Sequence, residues 1–298
     1  MTDTVLAEAT TLEEGRAARQ TRKWQSIRSL LRNPIGLIGL IIVLTTVFIA
    51  VFAPLIAPHS PSSIAFPRLQ SPSFDHLMGT DEQGRDTFSR IVYGSRVSLT
   101  VGIIAVLIAL VVGGLLGIIA GFFGGRLDSF LMRIVDILFA FPGLVLAIVI
   151  AGLLGPSRRN AMIAIGVVFA PAFARVVRGT VLSVMSEPYI EAGRVVGTSN
   201  LRLIRLHVMP NIFAPMIVLV TVYLSSAILS EAGLSFLGLG TQPPEPTWGG
   251  MLNVARTYME ILPSMAIFPG LAIAILVLGF NFLGDGLRDV LDPRLRER

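Results

Sequence analysis

Enzymes need nucleophiles, bases or metal ligands, and this sequence supplies few of them. Cysteine is absent, which excludes disulfides, iron-sulfur clusters and thiol nucleophiles. Three histidines, His59, His76 and His207, are scattered along the chain and leave little for a metal site. The single lysine, Lys23, stands between Arg22 and Trp24, so the G-x-x-x-x-G-K-[ST] loop that grips nucleotide phosphates has no counterpart here. Gly233, Ser235 and Gly238 miss the G-x-S-x-G spacing of a serine hydrolase. The residues ask for no catalysis, no metal and no cofactor.

Polar groups that remain fall at particular places. The stretch Ser186 to Pro210, SEPYIEAGRVVGTSNLRLIRLHVMP, is punctuated as two short helices joined by a tight turn. Ser186 is positioned to cap the first, and Pro188 is tolerated in its opening turn, where the missing N–H has no partner to lose. Gly197 suits the left-handed position that ends it, and Thr198 or Ser199 can cap the second, which carries Leu201, Ile204 and Val208 on one face. Arg194, Arg202 and Arg205 give this stretch a basic outer surface, which a docking site would explain. His207 reads as a loop residue making an ordinary hydrogen bond. Glu231 adjoins a long apolar run, and Asn281 and Asp285 lie near the end of another. Such groups are either part of a path or gate, or have a hydrogen-bonded or salt-bridged structural role.

The elements that hold these groups are apolar. Of 298 residues 53% are hydrophobic and only 14% charged, with a mean hydropathy of +0.75, which excludes a water-soluble globule. Six uncharged runs follow one another: Ile35 to Ala57, Val97 to Gly125, Ile137 to Ser157, Asn160 to Ala174, Val208 to Ser230 and Ile261 to Gly284. A bilayer core of about 30 Å needs roughly 20 apolar residues per helix. The fourth run, between Arg159 and Arg175, is short and relies on snorkelling arginines at its ends. Six spans put both termini on one face, and seventeen basic residues on that face against seven on the other assign it to the cytoplasm. The first run follows a long polar tail and lacks a small-x-small cleavage site, so it reads as a retained span.

The organisation expected is a cytoplasmic tail 1–34, a first span 35–57, an outer loop 58–96, a five-helix core 97–286 with an inner loop 175–207, and a cytoplasmic tail 287–298. The formal charge of +5 is placed beside apolar runs, so membrane lipid and not nucleic acid is the partner it indicates. The N-terminal tail is a surface helix or a disordered juxtamembrane segment. Gly113, Gly117, Gly121 and Gly125 recur every fourth residue and give the second span a smooth face for another helix. Asp128, Arg133 and Asp136 form a helix-end anchor in which Arg133 and Asp136, three apart, can pair. Pro243, Pro244 and Pro246 stiffen the last outer loop, and Trp248 is either a headgroup anchor or part of a docking scaffold.

The inner loop resembles that of the inner-membrane permeases of bacterial ATP-binding-cassette importers, whose pattern is E-A-A, three residues, G, nine residues, I-x-L-P. Glu191, Ala192, Gly197 and Pro210 match it, while Gly193 replaces the second alanine, His207 the isoleucine and Met209 the leucine. Further blocks are similar to the second permease of dipeptide and oligopeptide importers, the DppC and OppC type. They are RNPIGLIGL from Arg32, MGTDEQGRDTFSRIVYGSRVSL from Met78, GGRLDSFLMRIVDILFAFP from Gly124, EAGLSFLGLGTQPPEPTWGGML from Glu231 and LGDGLRDVLDPRLR from Leu283. The resemblance implies an all-α integral membrane protein of the type I importer permease fold with six transmembrane helices. It further implies a multi-pass subunit of the bacterial inner membrane that does not itself hydrolyse ATP. A second homologous permease, two ATP-binding subunits and an extracytoplasmic substrate-binding protein would complete the complex. Peptides would be the cargo, with nickel, glutathione or oligosaccharides as alternatives. In that frame Glu191, Ala192, Gly193, Gly197 and Pro210 form the ATPase-coupling loop, and Glu231 and Asn281 are candidates for the path or its gate. A stand-alone secondary carrier would instead show inverted repeats and acids at mid-membrane, and neither is evident.

Overall fold

A computed structural model describes residues 33–291; the expected tails therefore lie outside it, apart from Asn33, Pro34 and the helical residues up to Leu291. Among the described residues helices are joined by loops and there is no β-sheet, only one isolated bridge between Thr80 and Asp86. In chain order they are α1 (Pro34–Val51), α2 (Ala53–Ile56), α3 (Thr87–Phe123), α4 (Gly125–Phe139), α5 (Gly143–Leu154) and α6 (Arg158–Met185). Then follow α7 (Pro188–Val195), α8 (Asn200–Leu203), a π-turn (Ile204–Val208), α9 (Met209–Phe236), α10 (Trp248–Tyr258) and α11 (Ser264–Leu291). Five helical stretches are long and apolar enough to cross a bilayer, and the bent pair α4 and α5 makes at most a sixth.

Several helices run past the apolar runs that announce them. α3 begins at Thr87, ten residues before Val97, and its 37 residues extend about 55 Å, well beyond a bilayer core of about 30 Å. α6 passes through Arg175 and Arg178 to Met185 because both arginines find acids on α4. Arg178 grips Asp128 with both nitrogens, one at 2.6 Å, and Arg175 bonds Asp136 at 2.7 Å while lying 4.0 Å above the Phe139 ring. The anchor expected at Asp128 and Asp136 is present, but its cations come from α6 and not from Arg133. The run Ile137 to Ser157 is not one helix, since α4 and α5 meet at 92°. Pro142 at the corner removes a backbone donor and disfavours helix at Phe141. At 12 residues, or about 18 Å, α5 cannot cross the core unaided.

The densest contact in the fold is α3 on α6, and the glycine stripe explains it. A methyl group built on Gly113 would sit 2.2 Å from the Ala170 carbonyl oxygen, and one on Gly117 2.5 Å from that of Ala174. Gly121 faces Val181 in the same way, whereas Gly125 has left the stripe to begin α4. Without side chains in the way the two backbones approach closely and gain dispersion along their whole contact. α1 docks on α11 through Gly39 and Gly279, and Arg96 of α3 donates to the Ala50 and Val51 carbonyls that α1 leaves unpaired at its end. Trp248, the first residue of α10, is buried against α3 and donates to the Ile91 carbonyl at 3.0 Å, so it is a packing element and not a headgroup anchor.

The segment 57–86 between α2 and α3 is held by polar contacts. Arg85 bonds Asp81 at 2.6 Å and Glu82 at 3.0 Å, and Arg90 approaches Asp81 at 3.4 Å. Burial, helped by the neighbouring Asp81 charge, pushes the Glu82 carboxyl above its ordinary value. Thr80 donates to the Pro67 carbonyl at 2.6 Å and accepts from the Gln70 N–H, which fastens the segment's middle to its end.

Candidate functional site

The stretch Ser186 to Pro210 folds as a helical hairpin at the Phe123 end of α3. Ile190 of α7, Leu203 of α8 and Val208 of the π-turn are fully buried in one cluster with Val181, Val184 and Phe122. Arg194 lies 6.0 Å over the Phe122 ring, and the Tyr189 ring lies 5.3 Å from that of His207, tilted by 41°, across the two arms. The turn between them is a Schellman motif. The Thr198 N–H donates to the Gly193 carbonyl at 2.9 Å and the Gly197 N–H to that of Arg194 at 3.0 Å, with Gly197 at φ +80°. Gly193 lies against the second arm, where an added methyl would come 3.1 Å from Leu203 Cδ2, so the missing side chain permits close approach of the arms.

Two details differ from the sequence reading. Ser186 does not cap α7; its hydroxyl donates back to the Ser183 carbonyl at 2.8 Å, and Glu187 holds the N-cap position without a side-chain bond. Ser199 likewise precedes α8 without capping it. Pro210 is the second residue of α9, and helix continues from Asn200 through the π-turn to Phe236. The second arm of the hairpin is therefore a direct extension of a membrane-crossing helix.

What the hairpin turns outward is apolar at its tip and charged on its flanks. Val195, Val196 and Leu201 are 83%, 84% and 76% exposed. Glu191 and Ala192 are exposed on the first arm, Glu191 forms no ion pair among the described residues, and Arg194, Arg202 and Arg205 surround the tip. Three branched aliphatic side chains at the end of a rigid projection would be a liability in water, and such patches mark contacts with another protein.

Glu231 and Asn281 are not brought together. The Glu231 carboxylate is buried between α3 and α9, where it accepts from Ser235 at 2.7 Å and from Ser98 at 3.4 Å. The Asn281 oxygen, on the exposed side of α11, accepts from Ser225 of α9 at 2.7 Å. Each ties α9 to a different neighbour. Nor are the histidines scattered: His59 and His76 converge on Asp86 at the N-cap of α3, far from the hairpin. Sixteen residues of irregular chain separate the two histidines, and no periodicity in the sequence signals their meeting.

Comparison with known proteins agrees with this geometry. Residues 113–297 match the model of the binding-protein-dependent transport system inner membrane component, and residues 23–74 match the N-terminal transmembrane domain of oligopeptide transport permease C. The dipeptide transport system permease DppC of Alkalihalophilus pseudofirmus is 47% identical over 91% of this chain and 90% of its own. The di/tripeptide transport system permease DppC of Pseudomonas aeruginosa is 45% identical over 92% and 91%, and the glutathione transport system permease GsiD of Pectobacterium atrosepticum is 43% identical over 90% and 90%. Among solved structures, an inward-facing MetNI methionine ABC transporter contains a chain that superposes with a TM-score of 0.56 at 20% identity, covering 68% of this chain and 97% of its own. That likeness speaks for the fold alone. This multi-pass helical chain, matched by a family model over more than half its length, belongs to the inner-membrane permease components of binding-protein-dependent ABC importers, whose ATP hydrolysis is carried by separate subunits.

Proposed function

We propose that this permease forms half of the translocation path of a short-peptide importer in the bacterial cytoplasmic membrane, with both termini in the cytoplasm. A second homologous permease supplies the other half. Two ATP-binding subunits dock on the permease pair, one of them on the hairpin from Glu191 to Pro210, and an extracytoplasmic binding protein delivers cargo at the opposite face. The observation that carries this reading is the apolar hairpin tip of Val195, Val196 and Leu201 on an arm continuous with α9. A groove on the ATPase would cover the tip, and Glu191, exposed and unpaired, would meet a cation or helix N-terminus there. Motion of that groove then reaches α9 without crossing a flexible joint. The excess of basic residues on the hairpin side of the membrane supports the orientation. The names of the relatives support the cargo: dipeptide, di/tripeptide and glutathione are all short peptides.

The test is the co-expressed importer with Val196→Asp at the hairpin tip. Membrane levels stay unchanged, while the ATPase recovered with the permease and ATP-driven dipeptide uptake each fall by about tenfold, the equivalent of about 1.4 kcal/mol of lost contact. Full recovery of ATPase and full uptake would refute docking at the tip. Competition of labelled dipeptide uptake by unlabelled dipeptide and by glutathione ranks the cargo.

A further inference from the structure

His59 Nδ1 and His76 Nδ1 lie 3.9 Å and 3.0 Å from the two carboxylate oxygens of Asp86, and the ligand atoms of the three residues fall within 4.8 Å of one another. Asp86 and His76 are buried, and His59 Nδ1 is a buried nitrogen with no hydrogen-bond partner. A buried polar atom without a partner is costly, and one aimed at a carboxylate and a second imidazole asks what is meant to sit between them. We propose that His59, His76 and Asp86 form a binding site for a divalent transition-metal cation, zinc being the ion that suits the donor set, which clips the outer segment 57–86 to the first turn of α3.

The chemistry and the surroundings support such a site. Two imidazole nitrogens and one carboxylate suit zinc, cobalt or nickel and disfavour magnesium or calcium, which take oxygen ligands. Around tetrahedral zinc, with bonds of about 2.0–2.2 Å, neighbouring ligand atoms stand about 3.3 Å apart. The observed 3.0 and 3.9 Å lie on either side of that value and all three ligand atoms fall within 4.8 Å, so metal entry replaces the His76 Nδ1–Asp86 hydrogen bond and draws the two imidazoles together by side-chain rotation. Outer contacts already orient the ligands. Ser89 donates from both its N–H and its hydroxyl to one Asp86 oxygen at 2.8 and 2.7 Å, and the same hydroxyl accepts from the His59 backbone N–H at 3.2 Å. Phe66 packs edge-on against both imidazoles at 4.6 and 4.5 Å. The His59 side chain is 31% exposed, which leaves one side open for water as a fourth ligand. The role is structural and not coupled to ATP, since the length of α3, about 55 Å, separates the site from the hairpin. It is independent of the cargo reading.

The full chain, purified in detergent without a histidine tag and stripped with chelator, is titrated with cobalt(II) and zinc(II). One ion per chain is expected, with the visible absorption of four-coordinate cobalt, and zinc displaces it. His59→Phe keeps a ring against Phe66 but removes the nitrogen, and lowers affinity by about 100-fold or more. His76→Gln does the same, whereas His207→Phe leaves affinity unchanged. Zinc also slows proteolysis of residues 57–86 in the wild type and not in His59→Phe, a readout separate from spectroscopy. Absence of uptake by the monodisperse wild type, or equal uptake by wild type and His59→Phe, overturns the proposal.

Discussion

Gly197 is the position where a single substitution separates the hairpin from everything else. It stands at φ +80°, and nothing lies within 4 Å of the point where a Cβ would be, so a side chain there meets no steric obstacle and acts through the backbone alone. An L-residue in this region loses about 1–2 kcal/mol, and a β-branched one is at the upper end. Gly197→Val therefore imposes about 2 kcal/mol on the Schellman corner, close to the net worth of its two hydrogen bonds at about 1 kcal/mol each. The corner relaxes by opening, and the ratio of open to closed hairpins rises by about 30-fold. Gly197→Asn is the control, because asparagine tolerates the left-handed region. Measured in proteoliposomes with the partner subunits, dipeptide uptake and substrate-stimulated ATP hydrolysis fall in Gly197→Val, stay near wild type in Gly197→Asn, and the helical content and melting of the purified permease are alike in both. Wild-type uptake by Gly197→Val would refute the claim that the closed corner transmits force.

Two further expectations concern the helices. Gly117→Val drives a branched side chain into the Ala174 carbonyl at 2.5 Å and Val177 at 2.8 Å, so α3 and α6 must separate; thermal unfolding in detergent should drop by several degrees, about 2–3 kcal/mol, whereas Gly179→Val, with open space around it, should not shift it. Glu231→Gln keeps an acceptor oxygen for one of the Ser98 and Ser235 hydroxyls and turns an N–H donor to the other, which can accept it, and should retain uptake, while Glu231→Leu strands both and costs about 1–3 kcal/mol of stability; loss of uptake in Glu231→Gln with unchanged stability would instead mark the charge itself as part of the path.

The fold class was legible because it rests on local signals, the long uncharged runs and the residues that break them. The helix ends were not, for a reason visible at Arg175 and Arg178. A charge ends an apolar run in sequence, but these two are answered by Asp136 and Asp128, 39 and 50 positions earlier, and the helix continues. The corner at Pro142 was written locally yet lies inside an unbroken apolar run, so hydropathy alone reads through it. In the hairpin, Gly197 announced its own left-handed turn, whereas Ser186 has the composition of a cap and the geometry of the preceding helix end. Trp248 has the chemistry of a membrane-interface residue, and only the distant Ile91 carbonyl shows that it is buried. The His59, His76 and Asp86 cluster depends on a loop path that no periodicity encodes.

The way α9 is held bears on how a push at the hairpin would travel. Its N-terminal end is helically continuous with the second hairpin arm, and the π-turn at Ile204–Val208 and Pro215 are the points where that ladder is weakened. Midway, Tyr223 lies against Phe169 and Phe173 of α6 at 4.9 and 5.3 Å, and Ser225 bonds Asn281 of α11. Near its C-terminal end Glu231 joins it to Ser98 of α3. α3 is itself locked along α6 by the glycine stripe, so α3, α6 and α9 form one body in which a lateral push on the tip cannot be absorbed by sliding of a single helix. α11 is attached to that body through Ser225 and Asn281 and carries α1 on its far side through Gly39 and Gly279. α9 also shares a buried cluster with α11, in which Ile228 and Ala232 meet Ile273, Leu276 and Phe280, so a push that reaches α9 is passed to α11 and α1 as well as to α3 and α6.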